Sequence, residues 1–405
     1  MVQFLDVRRD EYVVGIDCRQ YEKLDYHTNE SFYAMVDRLS GERERRVTKT
    51  QFKLLEKTLG LNYQPDGLLW DTRLRTVLRP VDNCIRDWMH TTVSGGIAGT
   101  EMRLVIATLV GRGVTLTSLV EYASCFHLPR VMGRIEQSWF TERRLSGDNL
   151  RSFASEQLCM IPILHRFLRD IVEPMGIMVD DIRCFAHLAT IVDLLSLGPV
   201  GAMPHVAELR QAILNHHELY ATLYPAEAIK PKWHHLLHIP ENMSTVGRLL
   251  SCFVTERKHR ITKKAALYVF RHFEATVLKD LINKQVHDFV DSNLFKAAFL
   301  MEPSTVDIGG YTVRTSVAAM LSCGEVHRGD IVATRDHRVG KVSQFWAACD
   351  GSIILAIAVY PPAPGVDSFW VGQALAFVAD NGIVRSAIWC ERSPGLIRIV
   401  PPIHW

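Results

Sequence analysis

The sequence lacks the cysteine spacing that would define a disulfide framework or a thiolate zinc site. Its nine cysteines are scattered from Cys18 to Cys390, and no two of them form a C-x-x-C pair. Small domains that depend on disulfides have many cysteines for their length, and zinc ribbons have cysteines in closely spaced pairs. The pattern favours a reducing compartment, and we expect a nuclear or cytoplasmic protein.

A hydrophobic run long enough to cross a bilayer is also missing. The longest apolar run extends from Ile353 to Tyr360, whereas a transmembrane helix needs about 20 apolar residues. Near the start, Arg8, Arg9, Asp10 and Glu11 occupy positions where a secretory signal would be apolar. We therefore expect neither export nor membrane insertion.

The chain is nevertheless apolar enough to fold into more than one unit. It has 405 residues, of which 48% are hydrophobic and 22% are charged, and its net charge is only +2. Disordered chains have few apolar residues and a high net charge. This length and balance predict a folded protein with two or three hydrophobic cores.

Acidic residues are scarce in one segment, from Lys230 to Lys284. That segment holds eleven Lys or Arg against four Asp or Glu, a local net charge of +7. It also contains His234, His235 and His238. A basic surface of this kind attracts polyanions, of which nucleic acid is the commonest in a cell.

The periodicity predicts helices over most of the first 300 residues. Thr48 to Leu59 is a predicted helix that ends at Gly60, and Leu74 to His90 is predicted to be extended, with Asp87 near its end. Between Leu116 and Tyr224 apolar residues recur every three or four positions, which is typical of helices with one buried face. A long helix is predicted to begin near Glu256.

Beyond residue 302 the period changes from helical to extended. Glu302 to Ser316 is predicted to be a linker, and short strands follow, with Asp350-Gly351 and Asn381-Gly382 as hairpin turns. We expect a small antiparallel β-barrel or sandwich at 317–405. The predicted units before it are 1–115, a helical unit at 116–229, and 230–301, which carries the histidines and the long helix.

The first candidate for chemistry is D-W-M-H, in which Asp87 and His90 are three residues apart. A carboxylate and an imidazole at this spacing can share one site. The same spacing also suits a purely structural role, in which Asp87 caps the following turn and His90 packs beside Trp88. Spacing alone leaves both interpretations open.

The second candidate is H-H-x-x-H, followed by Glu256 and His259. His234 and His238 share a helical face, and two imidazoles with Glu256 could bind zinc as a metal hydrolase does. Alternatively, these histidines support the fold or contact phosphates. The glycine-rich turn S-G-G-I-A-G could present N–H groups to a phosphate, but a tight turn explains it as well.

The order of these motifs resembles that of transposases of the CACTA and KDZ type. D-W-M-H comes first, then a long helical stretch, then K-P-K-W-H-H-L-L-H-I-P and T-E-R-K-H. The resemblance covers about Leu55 to Lys284. It implies an α+β fold, in which a partial RNase H-like core carries a large helical insertion.

The resemblance implies the site residues as well. In this family D-x-x-H supplies the second catalytic carboxylate, which falls on Asp87 with His90 beside it, and the last acidic residue falls on Glu256. DDE enzymes cut and join DNA with two Mg²⁺ or Mn²⁺ ions held by carboxylates. The histidines would be accessory groups, and the basic residues after Glu256 would hold the DNA backbone. The accessory groups are His234, His235, His238 and His259; the DNA-binding residues are Arg257, Lys258, Arg260, Lys263 and Lys264.

A DDE core also needs a first carboxylate upstream of D-x-x-H. We expect the first part of the core to be missing from this chain; the alternative is that Asp17, in Y-V-V-G-I-D-C, is the first carboxylate. We therefore carry three hypotheses. The first is a transposase-derived DNA-binding protein, active or degenerate, as a monomer or a homo-oligomer. The second is a non-catalytic nucleic-acid or chromatin module, and the third is an unrelated His/Glu metal hydrolase.

Overall fold

A computed structural model describes most of the chain. The described residues are 2–6, 11–16, 27–45, 47–225, 229, 231–252, 273–290, 298–321, 323–348, 350–365 and 367–400. Side chains are described throughout these ranges except in 2–6, in 11–16 and at 273, 284, 285 and 287–290.

The first two thirds of the described chain are mainly helical. A two-stranded antiparallel hairpin, β1 (Val2–Asp6) and β2 (Glu11–Ile16), comes first. The α-helices that follow are α1 (Asn29–Glu44), α2 (Lys49–Leu59), α3 (Ile97–Gly111), α4 (Leu116–Ser124), α5 (Glu142–Leu145), α6 (Ala154–Phe167), α7 (Val179–Ser196), α8 (Gly198–Gly201), α9 (Val206–Leu223), α10 (Pro231–Val246) and α11 (Phe273–Val290). One short strand, β3 (Phe126–His127), lies between α4 and α5.

Local sequence signals set several helix ends. The Thr48 side chain accepts a hydrogen bond from the backbone N–H of Gln51 at the start of α2, and Gly60 ends that helix in the left-handed conformation. The predicted helix from Thr48 to Leu59 is therefore confirmed. Thr28 and Thr115 cap α1 and α4 in the same way.

One hydrophobic core joins these helices. It extends from Trp88 through α3, α6, α7 and α9 to Leu249. Its apolar side chains come from both sides of residue 115, so the predicted boundary between 1–115 and 116–229 does not separate two cores. The helical character predicted for 116–229 is confirmed by α4 to α9.

The segment that contains Asp87 is not a strand. Residues 68–70 and 72–74 form single 3₁₀ turns, turns and irregular backbone follow, and a helical turn that starts at Trp88 leads into a π-helical turn at Met89–Val93. The prediction of an extended piece that ends at Asp87 is wrong, because Asp87 starts a helical turn instead. Pro80, which suggested an extended piece, lies in a turn.

The last hundred described residues form antiparallel sheets. The strands are β4 (Phe299–Met301), β5 (Ser304–Ile308), β6 (Tyr311–Ser316), β7 (Ala318–Leu321), β8 (Gly324–His327), β9 (Ile331–Thr334), β10 (Val339–Ala347), β11 (Ile353–Tyr360), β12 (Ser368–Trp370), β13 (Leu375–Ala379), β14 (Ile383–Ser386), β15 (Ile388–Ser393) and β16 (Leu396–Val400). The largest sheet has seven strands, with β10 paired to β6, β9 and β11. The chain is thus an α+β protein with a β-rich C-terminal part.

Two predictions for this part are wrong. The predicted linker at 302–316 is the hairpin β5–β6, which extends the seven-stranded sheet. Asn381-Gly382 is not a hairpin turn, because β13 pairs with β11 whereas β14 pairs with β9. Asp350-Gly351 does join the hairpin β10–β11, as predicted.

The β-rich part packs directly on the helices. β3 pairs with β15, so that His127 lies opposite Trp389 and their rings stack at 4.5 Å. Arg398 donates to both carboxylate oxygens of Asp170 at 2.5 and 2.9 Å. Arg166 donates to Asp367 at 2.7 Å. A short ladder and partly buried Arg–Asp pairs therefore fix the two parts together.

One helical stretch is long and apolar enough to cross a membrane. It runs from Met89 to Gly111, and 61% of its apolar window is buried inside the protein. Core helices of soluble proteins pass the same test of length and composition. Its burial against the other helices is consistent with a core helix.

Candidate functional site

Asp87 holds together the start of a helical turn and a distant loop. Its Oδ2 accepts the backbone N–H of His90 at 2.9 Å and lies 2.5 Å from Nδ1 of the same residue. Its Oδ1 accepts the backbone N–H of Cys252 at 2.7 Å, across 165 residues of sequence. Asp87 is thus an N-cap, as the structural interpretation of D-W-M-H predicts, and also a tertiary anchor.

These hydrogen bonds control the charge of Asp87. Burial of the side chain opposes ionisation, but the backbone N–H groups of His90 and Cys252, helped by the His90 imidazole, outweigh it and lower the pKa of Asp87 below its usual value. Asp87 is therefore an anion at neutral pH. Its side chain is 16% exposed, so the charge is largely enclosed.

A metal ion has three ligand atoms available at this place. Asp87, His90 and Cys252 each offer one, and these atoms lie within 4.8 Å of one another. Carboxylate, imidazole and thiolate form a donor set that suits zinc, whereas Mg²⁺ prefers oxygen ligands. Sequence spacing could not have found Cys252, because only the tertiary fold brings it to Asp87.

Helix α10, which carries H-H-x-x-H, packs against the same segment. The Asn242 side chain accepts the backbone N–H of Arg86 at 2.9 Å. At the other end of the turn, Lys232 Nζ donates to the carbonyls of Ser94 at 3.2 Å and Gly95 at 2.8 Å. The two motifs that the sequence singled out are therefore neighbours, and Lys232 serves the contact between them.

The histidines of α10 bond mainly to each other. His234 Nε2 and His238 Nε2 are 3.0 Å apart, and His238 Nδ1 lies 2.9 Å from Glu241 Oε2. If His238 donates to Glu241, its Nε2 accepts from His234, whose buried Nδ1 has no partner. Within the described residues neither histidine belongs to a three-ligand group, so the metal-hydrolase hypothesis depends on Glu256.

Burial keeps two of these histidines neutral. It is the main cause that lowers the pKa of His234 to about 4, with His238, His235 and Arg86 as further causes. The pKa of His235 falls to about 4 as well, again mainly through burial and then through Arg86. Both imidazoles are therefore uncharged at neutral pH and add nothing to the local positive charge.

The glycine-rich segment at the start of α3 is closely packed at Gly96 and Gly99. Gly96 is buried, and a Cβ there would lie 2.4 to 2.6 Å from backbone atoms of Thr91 and Thr92. A Cβ at Gly99 would lie 1.9 Å from Asn149 Oδ1. Gly96 and Gly99 therefore permit close packing, which favours the tight-turn interpretation, whereas Gly95 is exposed.

Several predicted site residues lie outside the described residues. They are Asp17, Glu256, Arg257, Lys258, His259, Arg260, Lys263 and Lys264. The described chain reaches Cys252, at Asp87, before this gap and resumes at Phe273.

The helical core contains a second group of metal-ligating side chains that the sequence did not indicate. Glu101, Cys184 and His216 are fully buried, and one ligand atom from each lies within 4.8 Å of the others. They come from α3, α7 and α9, so no local spacing signals them.

Comparison with protein families, with curated proteins and with solved structures gives no match.

Proposed function

We propose that the chain is a DNA-binding protein derived from a DDE transposase of the CACTA/KDZ type. In this proposal Asp87 and Glu256 are two carboxylates of a metal site, and the basic residues that follow Glu256 bind the DNA backbone. The protein would act in the nucleus, as a monomer or as a homo-oligomer.

The observation that carries the proposal is the hydrogen bond from Cys252 N–H to Asp87 Oδ1 at 2.7 Å. Glu256 follows Cys252 by four residues, and four residues span at most about 14 Å of chain. Covalent geometry therefore limits the Cα of Glu256 to about 14 Å from the Cα of Cys252, although 169 positions separate Glu256 from Asp87 in sequence. A carboxylate pair built from Asp87 and Glu256 is compatible with this limit.

The state of Asp87 suits a metal ligand. Its lowered pKa makes it an anion at neutral pH. Oδ1 accepts one hydrogen bond, from Cys252, and has a second lone pair for a metal, whereas Oδ2 has two contacts with His90. Mg²⁺ or Mn²⁺ bound there would polarise a phosphodiester and stabilise attacking and leaving oxygens. His90 Nδ1, at 2.5 Å from Oδ2, orients the carboxylate.

The local charge supports a DNA contact. The five basic residues that follow Glu256 would neutralise phosphates and release counterions, which gives strong but sequence-independent binding. They are Arg257, Lys258, Arg260, Lys263 and Lys264. Lys232 is not part of this set, because its ammonium donates to Ser94 and Gly95.

An RNase H-like core is also part of the proposal. β2 ends at Ile16, directly before Asp17, which is where a core strand would present its first carboxylate. Within residues 27–252 the only described strand is the two-residue β3, so the helices α3 to α9 would correspond to the insertion. Asp17 is the third carboxylate that the proposal needs.

The proposal is tested by metal-dependent nicking of supercoiled DNA. Wild type is compared with Asp87→Asn and Glu256→Gln in Mg²⁺ and in Mn²⁺, with DNA binding measured on the same samples. Asp82→Asn is the matched control, because this neighbouring carboxylate is exposed and paired only with Arg79. Nicking that is lost in both site variants and kept in the control supports catalysis; nicking that survives both contradicts the assignment.

A non-catalytic DNA-binding module is the second candidate. It is favoured by the hydrogen bonds that occupy both oxygens of Asp87, since an N-cap and loop anchor needs no metal. In this case wild type binds DNA without nicking it, and Asp87→Asn lowers stability without changing DNA affinity at a temperature where the variant is folded.

A further inference from the structure

The second ligand group lies in the interior of the helical core. Glu101, Cys184 and His216 are each 0% exposed, and their three ligand atoms lie within 4.8 Å of one another. Glu101 Oε2 is 2.6 Å from His216 Nε2. Cys184 Sγ lies 3.8 Å from the backbone carbonyl oxygen of His216. A carboxylate, a thiol and an imidazole from three helices therefore meet in an apolar environment.

A chain of hydrogen bonds fixes the orientation of the His216 ring. His217 Nε2 lies 2.7 Å from the carbonyl oxygen of Trp233, which can only accept, so this nitrogen carries the hydrogen. His217 is 2% exposed, and a neutral imidazole that carries its hydrogen on Nε2 accepts at Nδ1. His216 Nδ1, 3.3 Å away, must then donate to it.

This arrangement directs the Nε2 of His216 at Glu101. A histidine that binds a metal usually donates its other ring N–H to a fixed acceptor, which sets the tautomer and the ring orientation. His216 has such an acceptor in His217, which is itself held by the backbone of Trp233 at the start of α10. His217 and the Trp233 carbonyl thus supply the outer hydrogen bonds that orient a metal-binding histidine.

The interior of the cluster also contains polar atoms without partners. Glu101 Oε1 and the Tyr220 hydroxyl are buried and make no hydrogen bond. A buried carboxylate oxygen without a partner costs about 1–3 kcal/mol. A cation at this place would give the carboxylate a ligand that the protein itself does not supply.

We propose that Glu101, Cys184 and His216 bind a zinc ion that fixes α3, α7 and α9 to one another. Zinc accepts this mixed donor set and is normally tetrahedral. Bonds of about 2.0–2.3 Å place neighbouring ligand atoms about 3.3–3.8 Å apart, so the Glu101 carboxylate must move less than an ångström away from His216.

Charge balance favours this ion. On binding, the Cys184 thiol loses its proton to solvent, and the proton shared by Glu101 and His216 also leaves. A thiolate, a carboxylate and a neutral imidazole remain. The two negative charges cancel the charge of Zn²⁺, so the filled site is neutral inside the core.

The test measures the metal content of the purified full chain and the absorption spectrum after replacement with Co²⁺. One zinc per chain and a thiolate-to-cobalt charge-transfer band are expected. Cys184→Ala should remove the band and Glu101→Gln should lower the zinc content. The matched control is Cys159→Ala, since Cys159 is also a core cysteine, in α6, and only 2% exposed.

A further control separates this site from the one at Asp87, which also contains a cysteine. Cys252→Ala removes a ligand there and must leave the zinc and the cobalt band unchanged. A band that disappears in Cys252→Ala and persists in Cys184→Ala overturns the proposal. So does wild-type protein that holds no zinc and whose melting temperature is the same with added Zn²⁺ and with a chelator, a result that needs no variant to fold.

Discussion

The backbone N–H of Cys252 donates to Asp87 Oδ1 at 2.7 Å and so ties the end of the described α10 segment to the D-W-M-H turn. The same carboxylate caps that turn through His90. One side chain therefore sets both the start of the π-helical turn and the position from which the chain continues toward Glu256. The stability and the proposed chemistry of this site depend on the same residue.

Asp87→Ala should destabilise the protein by about 1–2 kcal/mol, the usual effect of removing an N-cap, with a further loss from the unpaired Cys252 N–H. The measurement is the free energy of unfolding in denaturant. Asp82→Ala, which removes an exposed partner of Arg79, should change it by less than about 1 kcal/mol. Equal effects of the two substitutions would contradict the anchoring role of Asp87.

Stability should fall as pH is lowered from about 6.5 toward 4. The pKa of His234 and His235 is about 4 in the folded protein and about 6.5 when unfolded, so in this window the unfolded chain binds more protons and gains stability relative to the folded one. The measurement is the free energy of unfolding against pH. His234→Gln should flatten the slope; an unchanged slope in this variant would show that His234 is not buried and neutral.

Asp87 adds a second pH effect at lower pH. Its pKa is lowered in the folded protein, so its contribution is present above the unfolded value and is lost as pH falls through the folded pKa. Asp87→Asn should therefore be less sensitive to acid below about pH 4 than wild type. A parallel loss of stability in the two proteins at that pH would contradict the lowered pKa.

Arg398→Ala should weaken the attachment of the β-rich part to the helices. It removes one of the two arginines that pair with Asp170, which keeps Arg166 at 3.3 Å and the Tyr122 hydroxyl at 2.6 Å. A charge-assisted hydrogen bond of this kind contributes about 1.5–3 kcal/mol. Thermal unfolding should shift strongly, and limited proteolysis should separate the two parts.

The control for this substitution is Arg169→Ala on the neighbouring surface. Arg169 pairs with Glu173, and their side chains are 55% and 46% exposed, so its loss should cost less than about 1 kcal/mol. If Arg398→Ala is as mild as Arg169→Ala, the pair with Asp170 does not hold the two parts together.

Gly96→Ala should destabilise the protein by about 1–3 kcal/mol, because its Cβ would meet backbone atoms of Thr91 and Thr92 that cannot rotate away. Gly41→Ala is the opposite case, since it lies in α1 with nothing within 4 Å of the new Cβ. It should stabilise by about 0.5–1 kcal/mol. Thermal melting of both variants tests this, and a stable Gly96→Ala protein would contradict the close approach.

Signals that act within a few residues predicted local structure well. Thr48 and Gly60 define both ends of α2. The sequence pattern of the C-terminal segment predicts strands at 331–334, 340–346 and 352–360, which are close to the observed β9, β10 and β11. The extended assignment before Asp87 failed because turn-forming polar residues and Pro80 suit several irregular conformations. The linker assignment failed because the hairpin β5–β6 is exposed along β5 and lacks a buried face.

Sites built from distant residues could be found only in part. The sequence singled out Asp87 and the histidines of α10, and the fold brings these two motifs together. It gave no indication of Cys252 or of the cluster of Glu101, Cys184 and His216, whose members meet only because α3, α7 and α9 pack in one core. Periodicity shows which helix faces are buried, not which polar residues on them coincide.

The most direct test of the central claim is a salt titration of DNA binding. For wild type, the logarithm of the association constant should fall linearly with the logarithm of salt concentration, by about 0.9 per phosphate contacted on duplex DNA. Replacing Arg257, Lys258, Arg260, Lys263 and Lys264 by Ala should weaken binding at low salt and reduce that slope by several units. Absent DNA binding at low salt, or an unchanged slope in the folded variant, would contradict the account.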